Sequence, residues 1–314
     1  MNYIGIDLGG TTAKVGLFTT SGALLEKWEV PTDTSNAGEH ILENLADAIH
    51  AKMAEKEITS EQVEGVGIGV PGPVLDSRVV PIICANLGGW GERNVSAQLS
   101  GLLDGMKVLV GNDANVAALG EMWQGGGKGF SDIVMVTLGT GVGGGVILDK
   151  KIVAGKHGTG GEIGHLRIRE GEKEPCNCGG YGCLEQVASA TGIAREARRA
   201  MEQDSSDTEM RKFGADITAK DVLDCAKSGD AMACRVMDTV FYYLGWALSA
   251  ISMTIDPEIF VIGGGVSKAG SFLTEGIRKY FDQFTTLSDQ KAEITLAQLG
   301  NDAGIYGAAR LILD

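Results

Sequence analysis

Two short apolar segments, each folded around a Gly/Thr turn, constrain this chain more than any other feature. The first, Tyr3-Ile-Gly-Ile-Asp-Leu-Gly-Gly-Thr-Thr-Ala-Lys-Val-Gly-Leu-Phe18, reads as strand, turn, strand, and Ser21-Gly22 then turns the chain into a third strand through Val30. The second, Asp132-Ile-Val-Met-Val-Thr-Leu-Gly-Thr-Gly-Val-Gly-Gly-Gly-Val-Ile-Leu148, repeats the design, and Leu8-Gly9 falls on Leu138-Gly139. Two copies in a chain of 314 residues point to a duplicated α/β fold of two domains with a cleft between the halves.

The segments around the hairpins support that reading. Apolar residues at Ile41, Leu45, Ala48, Ile49 and Met53 have the spacing of an amphipathic helix, and 63–70 is an apolar strand stopped by Pro71-Gly72-Pro73. A helix over 94–103, a strand over 107–110 and a helix over 113–123 follow. The second half has an irregular Gly- and Cys-rich segment at 155–182, mostly helical sequence over 189–255 with a polar loop at 204–216, and a strand, Ile259-Phe-Val-Ile262, ending in three glycines. A last helix over 303–313 returns to the first domain. We place the smaller domain at 1–112 with 302–314 and the larger, metal-loop domain at 113–301.

Composition excludes whole classes of function. A net charge of −14 with no Lys/Arg cluster is unsuited to nucleic acid or an anionic membrane. The longest uncharged stretch, between Asp238 and Asp256, carries Thr239, Tyr242, Tyr243, Gly245, Ser249, Ser252 and Thr254, so a buried core helix is expected and not a membrane span. No basic segment or cleavage site precedes the first strand, and six Cys without a secretory signal do not make a disulfide framework; a reduced, cytoplasmic setting is expected.

Half of those cysteines are clustered. Cys176, Cys178 and Cys183 with His165 supply three thiolates and one imidazole within a short Gly-rich loop, the ligand set of a closed tetrahedral zinc site. With no open coordination position the metal would be structural, clipping the loop. The second ring nitrogen of His165 would stay available to a ligand.

The two turns form a second constellation. Consecutive backbone N–H groups with Thr hydroxyls make anion sites, so Gly9, Gly10, Thr11 and Thr12 together with Gly139–Gly143 are candidates to grip a polyphosphate. Asp7, beside the first turn, can hold Mg²⁺ directly or through water; its other reading is a turn-stabilising residue. Gly264 and Gly265, between a strand and a helix, would let a flat ring or ribose approach the backbone. Neither glycine run is a Walker or dinucleotide motif, since Gly-Lys-Ser/Thr is absent after one and the other leads into a strand. Asn112-Asp113, after a strand and at a helix start, reads either as a helix cap or, for Asp113, as a general base for an attacking hydroxyl.

Taken together, Asp7-Leu-Gly-Gly-Thr-Thr12, Gly69-Val-Pro-Gly-Pro73, Asn112-Asp113, the run 138–145, Gly161-Glu-Ile-Gly-His165 and the Cys-x-Cys-Gly-x-x-Gly-Cys-Leu-Glu run ending at Glu185 resemble the ROK family of sugar kinases and sugar-responsive repressors. Within it, Val30–Ser35, Asn115–Trp123, Ser189–Ile193, Gly263–Gly270 and Leu299–Gly304 are most similar to the glucokinase branch of Gram-positive bacteria. The resemblance implies an actin-like, ribonuclease-H-like two-domain fold, MgATP as donor with ADP as product, glucose or a related hexose accepting at its 6-hydroxyl, and a homodimer or homotetramer. It implies Asp113 as base, a sugar site of Gly72, Asn86, Asn112, Asp113, Glu162, His165 and Glu185, and nucleotide contacts from Lys14, Thr140, Gly141 and Gly143 besides the residues already named. One departure lies near the sugar: Asn86-Leu-Gly-Gly-Trp90 has an extra Gly relative to the usual pattern. Other readings are a kinase for another hexose or an N-acetylhexosamine, a non-catalytic sugar-binding protein, and a sugar-responsive regulator; the last would carry an N-terminal helix-turn-helix before the first strand.

Overall fold

The computed structural model describes residues 1–75, 78–79 and 87–313. In chain order the elements of the first part are β1 (Asn2–Leu8), β2 (Thr12–Thr19), β3 (Leu24–Pro31), α1 (Ile41–Glu55), β4 (Val63–Val70), β5 (Val74–Leu75), β6 (Arg78–Val79), α2 (Val95–Leu102), β7 (Val108–Asn112) and α3 (Asp113–Gln124). There follow β8 (Ile133–Leu138), β9 (Val142–Leu148), β10 (Lys151–Ile152), α4 (Glu185–Ala188), α5 (Ala190–Gln203), α6 (Ala219–Lys227), α7 (Ala231–Ile255), β11 (Ile259–Gly263), α8 (Ser271–Phe284), β12 (Glu293–Leu296) and α9 (Ala303–Leu311).

The duplication read from the two hairpins extends to whole sheets. One sheet has the order β3-β2-β1-β4-β7 and the other β10-β9-β8-β11-β12, so each places its third, second, first, fourth and fifth strand in the same sequence. In both, the first strand pairs parallel with the fourth and the fourth with the fifth. This is the two-domain α/β fold of the actin-like class. Parallel neighbours need crossovers, and a ligand at such a sheet binds beyond the strands' carboxyl ends.

Contacts divide the chain into two compact units, Met1–Ser131 with Gly145–Gly161 and Gln298–Asp314, and Asp132–Gly144 with Glu162–Ala297. This differs from the expected division of 1–112 with 302–314 against 113–301. Helix α3 belongs with the first unit because glycines let it meet α9 backbone to backbone. A Cβ on Gly120 would come 2.2 Å from the Ala303 carbonyl oxygen, and one on Gly307 would lie 1.7 Å from that of Val116. Helix α9 sits equally close to the first sheet, where a Cβ on Gly67 would approach the Ala308 carbonyl to 1.7 Å.

Two further expectations are corrected. The segment 204–216 is not all loop: Glu209–Asp216 is 3-10 helical with a kink at Gly214, and the Asp230 carboxylate accepts from the Thr208 hydroxyl and the Glu209 N–H. The uncharged helix α7 is buried along one face only, leaving Tyr242, Trp246 and Met253 between 40 and 55% exposed. Among the described residues no helix is long and apolar enough to cross a membrane.

Candidate functional site

In the first unit the strand register collects the motifs at the carboxyl ends of three adjacent strands. Asp7 at the end of β1 pairs with Gly69 on β4, and Gly69 pairs with Gly111 on β7. A Cβ on Gly69 would lie 3.7 Å from the Asp113 Cα, so the Gly69–Pro73 motif runs beside the start of α3. The Asn112 amide donates to the Gly72 carbonyl at 3.1 Å while its carbonyl oxygen accepts from the Asn115 N–H at 3.1 Å. Asn112 is therefore the cap of α3. Asp113 follows in the first turn, where its carboxylate accepts from the Ala114 N–H at 2.8 Å.

Asp7 is half-buried and packs on Gly304, where a Cβ would stand 2.5 Å from its carboxyl carbon. Burial pushes its carboxyl above the ordinary range, against the opposing pull of Lys14, with Asp302 adding to the rise. A carboxylate held at such a cost suits a divalent cation. The Lys14 ammonium, facing Asp7 across the β1–β2 ladder, donates to the Asn301 carbonyl at 3.0 Å. The Gly9–Thr12 turn closes with the Gly9 N–H on the Thr12 carbonyl at 3.2 Å, and Thr32 clamps it by donating its N–H to the Thr11 carbonyl and its hydroxyl to that of Gly9.

In the second unit the matching turn is closed one residue tighter, with the Gly139 N–H on the Gly141 carbonyl at 3.0 Å. It is braced from the start of α5, where the Ala190 N–H donates to the Gly139 carbonyl at 2.7 Å and the Thr191 hydroxyl to that of Thr140 at 3.0 Å. Gly264, at a φ of 82°, leaves no room for a side chain: a Cβ there would meet the Leu138 backbone at 2.5 Å. A cavity of about 420 Å³ adjoins it, lined by Gly265, Val266 and Ala269 and by Thr218, Leu223 and Lys227 from α6 and its cap. These α6 residues carry no local motif and are not legible in the sequence.

The four metal-ligand candidates converge. One ligand atom from each of His165, Cys176, Cys178 and Cys183 lies within 4.8 Å of all the others. The Cys178 and Cys183 sulfurs are 3.7 Å apart, and His165 Nδ1 is 3.8 Å from the Cys176 sulfur. A tetrahedron with Zn–S bonds of about 2.3 Å has edges of about 3.8 Å, so the cluster fits zinc. Because Nδ1 faces the cysteines, Nε2 is the nitrogen left for a ligand. Burial raises the Cys183 thiol to about 12, a cost that ligation to a dication would offset.

The loop carrying these ligands is held by polar side chains. Buried Gln186 accepts from the Gly182 and Cys183 N–H groups and donates to the Glu174 carbonyl. Arg169 pairs with Glu196 through two bonds of 2.8 Å, and Arg199 with Glu172 through two of 2.9 Å. The Arg199 guanidinium holds the Glu172 carboxyl down to about 2. Glu162 flanks the 3-10 turn Ile163–His165, whose Gly164 is obligatory because a Cβ would lie 2.0 Å from the Val142 carbonyl. Glu185 opens α4, and one of its oxygens accepts from the Val142 N–H at 3.0 Å.

Asn86 lies outside the described residues. Its neighbours Gly88 and Gly89 both have positive φ, and fully buried Leu87 and Trp90 anchor the two ends of this turn. Gly88 is packed on the Thr34 carbonyl, 2.1 Å from where its Cβ would be. One residue escaped the sequence reading altogether. Glu121 is fully buried on α3, and its carboxylate accepts from the Gly126, Gln298 and Leu299 N–H groups. Within the helical pattern it looks like any other exposed acid.

The ROK family pattern matches residues 3–314. This chain belongs to the ROK family. It is 41% identical to a glucokinase of Halalkalibacterium halodurans over 315 aligned residues, covering 99% of this chain and 94% of the relative. Among solved structures, the ROK hexokinase from Thermus thermophilus matches with a TM-score of 0.83 at 32% identity, covering 98% of this chain and 97% of that one. A ROK family glucokinase from Streptomyces griseus, solved in complex with glucose and AMPPNP, matches with a TM-score of 0.73 at 32% identity over 99% of both chains.

Proposed function

We propose that this ROK protein is an ATP-dependent hexokinase of the glucokinase type, transferring the γ-phosphoryl group of MgATP to the 6-hydroxyl of glucose. The observation that carries the reading is the convergence of Asp7, Gly69 and Asn112-Asp113 at adjacent strand ends, in a chain similar along its whole length to glucokinases.

Asp113 takes the proton of the 6-hydroxyl as the sugar oxygen bonds to the γ-phosphorus. The bond from that phosphorus to the β–γ bridging oxygen breaks, and ADP leaves with its electron pair. A carboxylate at a helix start is a weak base, and a loose phosphoryl-transfer transition state asks for positioning more than for basicity. Asn112 positions it by fixing the first turn of α3 and the Gly72 carbonyl together. The other sugar hydroxyls are assigned to Gly72, Asn86, Asn112, Glu162, His165 Nε2 and Glu185.

The phosphates are assigned to Gly9, Gly10, Thr11, Thr12 and Lys14 in the first unit and to Thr140, Gly141 and Gly143 in the second. The cavity beside Gly264 and Gly265 has the size and apolar walls for the adenosine portion. Asp7 would hold Mg²⁺, which when bound neutralises charge on the phosphates. His165, Cys176, Cys178 and Cys183 would hold zinc, which supplies no chemistry beyond fixing the loop and the His165 ring. A cytoplasmic homodimer or homotetramer without nucleic-acid or membrane partners completes the proposal, and light scattering gives the subunit count.

The test is MgATP-dependent phosphorylation of glucose, mannose, fructose, N-acetylglucosamine and N-acetylmannosamine, with sugar-independent hydrolysis as blank. Glucose is expected to give the highest kcat/KM. Preference for an N-acetylated sugar would reassign the pocket around Leu87–Trp90, and silence on every sugar would end the kinase reading.

A further inference from the structure

Among the described residues, the Glu185 side chain touches both the metal cluster and the Gly139–Val142 turn. Glu185 follows the ligand Cys183 by two residues, with fully buried Leu184 between them. One of its carboxylate oxygens accepts from the Val142 N–H at 3.0 Å, and the other lies 3.7 Å from the Cys176 sulfur. Gly141 makes the approach feasible, since a Cβ there would stand 2.3 Å from the first oxygen. The remaining bonds that shape the turn are internal or come from the start of α5.

We propose that Glu185 is a positioning residue that couples the four-ligand cluster to the Gly139–Val142 turn, so that metal loading orders the nucleotide side of the site as well as the sugar side. Backbone N–H groups grip phosphate only when their directions are fixed, and an N–H bonded to a carboxylate fixes the peptide plane between Gly141 and Val142. Metal-loop integrity thereby reaches a turn more than twenty residues away in sequence. The nucleotide half of this proposal rests on the phosphate role assigned to the turn; the coupling itself does not.

The test compares amide hydrogen exchange over residues 139–148 in the parent, in Glu185→Ala, in Glu185→Gln and in parent stripped of metal by a chelator, alongside calorimetric titration of MgAMPPNP without sugar. Loss of one charge-assisted bond predicts exchange at Val142 about tenfold faster in Glu185→Ala and in the stripped parent. Glu185→Gln retains an oxygen that accepts from Val142, so it is expected to stay close to the parent. MgAMPPNP affinity should follow the same order. Unchanged exchange in Glu185→Ala, or in the stripped parent, overturns the coupling. Should Glu185→Ala fail to fold by circular dichroism, Glu185→Asp, one methylene shorter, provides the same comparison. If the exchange pattern appears while no sugar is phosphorylated, the coupling stands and the hexokinase reading falls.

Discussion

The side-chain amide of Asn112 donates to the Gly72 carbonyl at 3.1 Å while its oxygen caps α3 through Asn115. One residue thus ties the end of β7, the motif after β4 and the helix that begins with Asp113. Removing it with Asn112→Ala is expected to cost about 1–2 kcal/mol of stability, through loss of the cap and of the Gly72 partner. Asn112→Asp keeps the cap but cannot donate to Gly72. Denaturant unfolding of both variants, set beside their kcat, separates capping from positioning: Asn112→Asp keeps the cap, so its loss of stability should report the broken Gly72 bond alone, and turnover should fall with it.

Asp113→Asn preserves shape and the acceptor for the Ala114 N–H while removing the base. Turnover is expected to fall by about 10²–10⁴-fold, with glucose binding within a few-fold of the parent by tryptophan fluorescence. A near-normal kcat would take Asp113 out of the base role.

Cys178→Ser removes one corner of the cluster whose atoms lie within 4.8 Å of one another. Zinc measured by elemental analysis should drop from one per chain toward zero, and glucose affinity should weaken about tenfold as the His165 ring loses its anchor. Unchanged metal content would sink the four-ligand site.

Asp7 has a folded-state pKa raised by burial, so its sign is opposite to that of a salt-bridged acid. As pH rises through the unfolded value near 3.8 and then the raised folded value, the unfolded chain gives up its proton first and stability falls. Asp7→Asn should therefore melt higher than the parent at pH 7, with the gap closing as the pH drops below 3.8. Its kcat/KM for MgATP should nevertheless fall by about 10²-fold. A melting gap independent of pH would refute the burial argument.

Glu172 runs the other way, its carboxyl held down to about 2 by Arg199. Its contribution is fully present above 4.5 and is lost as pH falls from there toward 2. Glu172→Gln should cost about 1–2 kcal/mol at neutral pH, discounted because the arginines keep contact with water. The loss should appear as faster proteolysis of the metal loop, and it should shrink in acid.

The features legible in residue order are local. The two Gly/Thr hairpins, the Cys and His ligands and the Asn112-Asp113 pair each lie within a few tens of residues, where turn geometry, ligand spacing and capping are written in residue type. Since both sheets repeat one strand order, the hairpin repeat also carried the duplicated fold. Tertiary structure decided everything that depends on which distant groups meet. Glycines at 67, 120 and 307 let α9 sink onto the first sheet and α3, and that packing moved the domain boundary from 112 to beyond α3. The same contingency gave Glu121 its partners at Gln298 and Leu299, brought α6 to Gly265 and set Glu185 on Val142. No spacing rule encodes such pairings, because each follows from how closely two backbones can approach once the chain has packed.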